Sequence, residues 1–385
     1  MTVNDIASAL ARASRARQRV AIEGAATKSG WGSLAAAADV TLSTGALNAV
    51  VDHRYGDLTA TVQAGASLAA VNRELGRHGQ WIPLDPPWAD RATIGGVIAT
   101  NDSGPRRHKF GAPRDLIIGV EIVRIDGTVA KSGGIVVKNV AGYDLGRLMA
   151  GSFGSLAVIA SATFKLYPVP PASRTLVVHF GDHWAAGGPP ERMIAALAAS
   201  HVTPTSIELQ TRPPRLLVRF ESNEGAAEQQ AAAAAGIADS LGATTSVVAG
   251  LEEAAVWDAH TARPWNGAGT IVKVTCLPAQ VGPTIAWFNE TLHDVDWDAV
   301  GRAGVGILLV RVGGDVSRQA RTIADLRARF APGTGSAVIV RGSDDLKRIA
   351  DVWGPAGDTL PVMRAVKQQF DPDGLLNPGR GPFGL

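Results

Sequence analysis

Several short stretches of this 385-residue chain place small residues and hydroxyls where bulkier side chains would block a ligand. The first is Gly24-Ala25-Ala26-Thr27-Lys28, which continues in the same character to Gly32. A small-residue loop after a strand exposes several backbone N–H groups to a phosphate. The second stretch runs from Asp85 to Gly104 and holds Pro86, Thr93, Ile94, Gly95, Gly96, Ala99, Thr100, Ser103 and Gly104. Its paired glycines permit close backbone approach, and its threonines and serine offer hydroxyls to an extended polar ligand. Further stretches follow at Lys109 to Asp115, Lys138 to Leu145 and Gly151 to Ile159. Their recurrence in one region implies one long ligand.

A Rossmann site is excluded, although Gly30-Trp31-Gly32-Ser33-Leu34-Ala35 fits G-x-G-x-x-A and Asp52 stands near the spacing of a ribose-binding acid. That fingerprint needs a strand-loop-helix-strand unit. Here Val40 onward alternates as consecutive strands, and the helix could span only Ser33 to Ala38.

The elements that must position these loops follow from periodicity. Ile6, Ala9, Leu10 and Ala13 recur at helical spacing behind Asn4 and Asp5, which predicts a first amphipathic helix. Strands are predicted at Val20 to Ile22, Val40 to Leu42, Ala49 to Asp52 and Leu58 to Gln63. A helix with Leu68, Val71 and Leu75 on one face, capped by Ser67 and closed by Gly79, comes next. Gly119 to Ala130 is predicted to be a hairpin turning at Asp126-Gly127 in type I′, and Leu156 to Tyr167 a long strand.

A proline-rich connector at Pro168, Pro170 and Pro171 marks a domain boundary. Beyond it strands are predicted at Thr175 to Phe180, Ser206 to Gln210, Arg215 to Phe220, Thr270 to Thr275 and Gly306 to Val312. Helices are predicted at Glu191 to Ala199, Asn223 to Leu241 and Ser317 to Phe330, so this region is an α+β layer sandwich.

Composition removes whole classes of function. The chain is 46% hydrophobic and 19% charged, with 37 Lys plus Arg against 35 Asp plus Glu and a net charge of +2. That is globular composition, and no run of like charge offers a nucleic-acid or membrane footprint. Two domains are the default, since single cores stop growing at roughly 250–300 residues. Cys276 is the only cysteine, which excludes internal disulfides, a cysteine zinc site and a self-contained iron–sulfur cluster. No apolar run approaches the roughly 18 residues of a membrane span, and no signal-peptide core opens the chain, so a reducing, cytoplasmic setting is expected.

The motifs together resemble a known family. Residues 20 to 170 carry P-x-x-x-x-x-x-T-I-G-G (Pro86 to Gly96), F-G-x-x-R-D (Phe110 to Asp115), G-Y-D-L (Gly142 to Leu145) and G-S-x-G-x-L-x-V-I (Gly151 to Ile159). This resembles the FAD-binding domain of the vanillyl-alcohol oxidase and p-cresol methylhydroxylase type. The tail Phe370 to Arg380 matches that family's F-D-P-x-x-x-x-N-P-G-R, and K-N-V-A-G-Y at Lys138 to Tyr143 is most similar to the FAD-binding E-type subunits of glycolate oxidase complexes. The resemblance covers the first domain and the tail well and the middle poorly.

The resemblance implies an α+β fold: an FAD-binding domain of two α+β subdomains over residues 1–172, an inserted α+β cap over 173–340, and a tail over 341–385 returning to the FAD domain. It implies that Gly24, Ala25, Ala26, Thr27 and Lys28 cradle the FAD pyrophosphate. Pro86, Thr93, Ile94, Gly95, Gly96, Ala99, Thr100, Ser103 and Gly104 would line the diphosphate and flavin, completed by Gly154 and Ile159. Covalent members place a histidine in the first loop; Thr27 stands there, so non-covalent FAD is expected.

Related D-2-hydroxyacid dehydrogenases also need a base for the hydroxyl proton and a cation for the carboxylate, and carry G-D-G-N-x-H and E-H-G in the second domain. This sequence has neither. Of its eight histidines none pairs beside a carboxylate in metal-ligand style, and His179 and His183 straddle Gly181-Asp182 at a strand end, so no metal is expected. Lys138 and Tyr143 in the first domain, and His260 and Arg263 in the second, remain candidates for substrate contact. Arg263 could clamp a carboxylate or form a surface ion pair; Tyr143 could act on substrate or pack in the core. Trp257, Trp265 and Trp353 fit core or interface anchors better than flavin stackers.

Three functions stay open. The chain is the FAD-carrying subunit of a complex oxidising glycolate, working with a second FAD-containing catalytic subunit and an iron–sulfur subunit, through which it would sit in the cytoplasm or at the inner face of a membrane. Or it is a self-sufficient FAD oxidoreductase of a small 2-hydroxy acid or alcohol. Or it is a scaffold without catalysis.

Overall fold

A computed structural model describes residues 1–135, 142–181, 184, 187–331 and 333–385. The chain divides into two compact units, one formed by Met1–Gly104, Phe110–Val169 and Pro355–Leu385, the other by Pro105–Lys109 and Pro170–Gly354.

In the first unit the helix Val3–Arg15 is capped by Thr2, whose side chain accepts from Asp5 N while Asp5 accepts from Thr2 N. Its Ile6, Leu10 and Ala13 are buried with Val20, Leu42, Val123, Val158 and Leu376 in one apolar cluster. The short strands Val20–Glu23 and Val40–Ser43 pair in parallel, and Leu376 from the tail bridges Val20 in parallel. The second sheet is antiparallel, in the order Val50–Arg54, Thr59–Gln63, Val158–Lys165, Ile117–Val123, Val129–Gly133. Its central strand Val158–Lys165 is buried at every residue but Lys165. The reason is cover on both faces: Val158 and Ala160 meet the cluster of the first helix, while Ile159, Ala162 and Phe164 meet a larger cluster. The helices Leu68–Leu75 and Ile94–Thr100 supply Leu68, Val71, Leu75, Ile94, Val97 and Ile98 to that larger cluster.

The hairpin is present, but its turn is not type I′, which needs positive φ at both central residues. Only Gly127 has positive φ, at 86°, while Gly127 N donates to Arg124 O and Thr128 N to the Asp126 carboxylate. The longer loop lets the Asp126 side chain hold the backbone two residues on.

The second unit is built on an eight-stranded antiparallel sheet in the order Thr244–Val248, Ala172–His179, Pro214–Ser222, Ser206–Thr211, Trp297–Arg302, Ile307–Val312, Thr270–Cys276, Gly335–Arg341. Leu176, Leu209, Val218, Val274 and Leu308 from its strands share one core with Met193, Ala234, Phe288 and Ile323 from the helices Pro189–Ala199, Glu224–Ser240, Val281–Thr291 and Val316–Ala328. Val177 and Leu217 alternate to the opposite side, where Trp257 of the helix Gly250–Ala262 covers them. The unit ends at Gly354 and not at residue 340, because Gly335–Arg341 pairs with Thr270–Cys276 and Leu346 of the helix Asp344–Ile349 is buried in the same core.

Candidate functional site

Within the first unit a cleft is lined by four segments: residues 22–29 with Thr44, the start and end of the helix Ile94–Thr100, the loop and strand start at 153–159, and the tail. The chain beyond Glu23 leaves regular structure because its residues are small and because Ala26 takes a left-handed φ of 54°. Turns then wind the loop back, with Ser29 N donating to Ala26 O and Trp31 N to Lys28 O.

Three glycines here answer to a close approach. A Cβ on Gly24 would lie 2.3 Å from Thr93 Oγ1, and one on Gly95 would lie 2.9 Å from Ala64 Cβ. Thr93 caps the helix Ile94–Thr100 by accepting from Gly96 N at 3.3 Å. The Thr100 hydroxyl, predicted to serve a ligand, donates at 2.7 Å to Gly96 O inside that helix. Gly154, with φ of 72°, backs onto the tail, where a Cβ would meet Asn377 Nδ2 at 2.5 Å.

The tail fastens the cleft. Asn377 is buried; its Oδ1 accepts from Ile22 N at 2.9 Å and its Nδ2 donates to Phe153 O at 2.8 Å. Arg380 Nη2 donates to Lys28 O at 2.7 Å. Burial holds the Arg380 guanidinium below its ordinary pKa, with the Glu23 charge opposing that effect. Lys367 anchors the preceding helix by donating to Ser155 O at 2.7 Å and to the Asp371 carboxylate at 2.6 Å.

Of the predicted cofactor residues, Gly24, Ala25, Ala26, Thr27, Lys28, Thr93, Gly95, Gly96, Ala99, Thr100, Gly154 and Ile159 line this cleft. Pro86, Ile94, Ser103 and Gly104 do not. Ile94 is fully buried in the core, and a Cβ on Gly104 would lie 1.9 Å from Asp85 O, so that glycine serves the approach of two backbone segments. Asn377, Arg380, Phe153 and Ala157 line the cleft without having been read as site residues, although the F-D-P-x-x-x-x-N-P-G-R tail was the signal that could have found the first two.

An FAD molecule fits these residues. Its diphosphate needs buried cations and N–H groups, and the cleft supplies Lys28 Nζ and Arg380 Nε, both buried and without a hydrogen bond among the described residues. Ile22, Phe153, Ala157 and Ile159 give apolar wall to a ring system. No histidine or cysteine lines the cleft among the described residues.

The predicted catalytic residues have different surroundings. Lys138 lies outside the described residues. Tyr143 is 90% exposed, so it does not pack in the core. In the second unit Arg263 is bound to Asp298, Nε to Oδ2 at 2.5 Å, and also donates to Arg212 O, which makes it a half-buried, ion-paired residue. His260 is 2% exposed, with Nε2 at 2.8 Å from Glu208 Oε2 and Nδ1 at 2.8 Å from Gln210 Nε2. Trp257 is a core anchor whose Nε1 donates to Thr175 Oγ1 at 2.8 Å. No group of three metal-ligating side chains occurs among the described residues.

Comparison with known proteins agrees with the cleft. Residues 1–133 match the model of the FAD binding domain, and residues 353–380 match that of the C-terminal domain of FAD linked oxidases. The chain is 29% identical over 340 residues to glycolate oxidase subunit GlcE of Escherichia coli, covering 86% of this chain and 84% of that one. It is 26% identical over 371 residues to glycolate oxidase subunit GlcD of Bacillus subtilis, covering 87% and 77%. Its fold is similar to that of p-cresol methylhydroxylase, with a TM-score of 0.75 at 16% identity over 98% of this chain and 87% of that one.

Proposed function

Starting from a chain that belongs to the FAD-dependent oxidoreductases with a p-cresol methylhydroxylase-type FAD-binding fold, we propose that it is the FAD-binding subunit of a complex that oxidises glycolate or a similar small 2-hydroxy acid. The observation that carries this reading is the cleft itself, a small-residue loop with two buried cations, in a chain similar along most of its length to two glycolate oxidase subunits.

FAD, when bound, supplies a two-electron acceptor for the hydroxyl-bearing carbon. The loop Gly24 to Lys28 and Arg380 hold the diphosphate, with backbone N–H groups and fixed cations offsetting its charge. Gly24, Gly95 and Gly96 let the loop and the helix start pack closely against Thr93 and Ala64 and so shape this wall, and Phe153, Ala157 and Ile159 exclude water from the ring. The cofactor is held without a covalent bond, a reading supported by Thr27 in the first loop and by the lack of a cleft-lining histidine or cysteine among the described residues.

Onward electron transfer needs a partner. Cys276 is the only cysteine, so an iron–sulfur relay must reside in another subunit, and a second flavin subunit supplies the metal-dependent substrate chemistry whose motifs this sequence lacks. No helix among the described residues is long and apolar enough to cross a membrane, so attachment to one is assigned to those partners.

The test is anaerobic addition of glycolate to the purified chain and to the chain reconstituted with its partner subunits. The proposal expects flavin bleaching in the complex and little in the chain alone. Full bleaching by the isolated chain replaces it with a self-sufficient enzyme, and no bleaching in the complex removes glycolate as substrate.

A further inference from the structure

Buried ammonium groups collect hydrogen bonds, because nothing else offsets their lost hydration. Lys367 does so, donating to the Asp371 carboxylate at 2.6 Å and to Ser155 O at 2.7 Å. Lys28 does not. Its side chain is 5% exposed and its Nζ lies 3.3 Å from Asp102 Oδ2, yet neither atom makes a hydrogen bond among the described residues. The amine sits 5.5 Å from the centre of the Trp31 ring, and Lys28 lines the cleft while Asp102 stands behind it. Charge is therefore balanced here while hydrogen bonding is left open.

We propose that Lys28 is the residue that selects the diphosphate of FAD, and that Asp102 is a resident counter-ion that holds the amine until the diphosphate arrives. This rests on the cofactor reading and goes beyond it by giving the pair opposite effects. The diphosphate is the anionic part of FAD, and it alone can repay an ammonium whose N–H groups are unspent. Asp102 neutralises Lys28 in the empty cleft, so it favours the unliganded protein. Once the diphosphate shares the amine, the same carboxylate opposes it through like-charge repulsion.

The experiment titrates FAD, ADP and riboflavin by fluorescence into the wild type, Lys28→Met and Asp102→Asn, and measures the melting temperature of each ligand-free form. Lys28→Met is expected to weaken FAD and ADP by about tenfold to a hundredfold, the range for losing a charged hydrogen bond, and to leave riboflavin unchanged. Asp102→Asn is expected to lower the ligand-free melting temperature and to tighten FAD and ADP several-fold. Lys28→Gln carries the first arm if the Met variant does not fold. Unchanged FAD binding in the Lys28 variant, an equal loss for riboflavin, or weaker FAD binding in Asp102→Asn each overturns the inference while the cofactor reading stands. A wild type that binds no FAD overturns both.

Discussion

Replacing Asn377 by Ala should open the cleft at its fastening. Asn377 accepts from Ile22 N at 2.9 Å, donates to Phe153 O at 2.8 Å and sits at a left-handed φ of 41°. The Ala variant takes this partner from the half-buried Ile22 N–H and Phe153 C=O, at up to about 1–3 kcal/mol each. It also loses a residue type that tolerates left-handed backbone, which adds about 1 kcal/mol. The sum is about 3–7 kcal/mol, and partial hydration of the space left behind favours the lower end. Against a total of about 5–15 kcal/mol this is a severe loss. Urea unfolding of the wild type, Asn377→Ala and Asn377→Gly is the assay. Gly keeps the backbone conformation and loses the same two bonds, so it should recover only about 1 kcal/mol of the deficit. An Ala variant within 1 kcal/mol of wild type, or a Gly variant that restores full stability, would refute the reasoning.

The remaining expectations are simpler. Gly24→Ala should weaken FAD binding at least tenfold, roughly 1.4 kcal/mol, because its methyl would meet Thr93 Oγ1 at 2.3 Å and must displace that cleft-lining side chain or the loop; a dissociation constant within twofold of wild type counts against it. Arg106→Ala in the second unit removes the bonds that hold Glu221 from Arg106 Nη2 at 2.7 Å and Nε at 3.1 Å, leaving it the Thr205 hydroxyl and the Arg219 charge, and should cost about 1–3 kcal/mol in denaturant unfolding. A change under 1 kcal/mol there would mean that water reaches the carboxylate. His108 is held below its ordinary value near 6.5 by burial, with the Glu208 charge pulling the other way. The folded protein thus resists protonation more than the unfolded chain. Stability is full above about pH 6.5 and falls as pH drops toward the lowered value, and His108→Asn should flatten that slope.

The cleft loops were legible because their chemistry is local: a run of small residues after a strand declares that backbone must approach something. The tail's part was legible only as a motif, since Asn377 meets Ile22 across a separation of 355 residues and no local pattern encodes that bond. In the second unit the strand Trp297–Arg302 escaped prediction because its polar residues are matched by partners on neighbouring strands and helices. Asp298 pairs with Arg263 and Arg302 lies opposite Glu208, so buried charge hides the apolar alternation. The helix Gly250–Ala262 escaped for a similar reason, as its inward face carries Glu253 and His260 beside Trp257. Arg263 illustrates the same limit, because nothing in the sequence announces that Asp298 will occupy it.

The absorbance spectrum of the purified chain after incubation with FAD and removal of excess tests the central claim most directly. The account predicts yellow protein carrying one flavin per chain, all of it released to the supernatant on acid denaturation. Colourless protein would contradict the cofactor assignment, and flavin that stays with the denatured chain would contradict non-covalent binding.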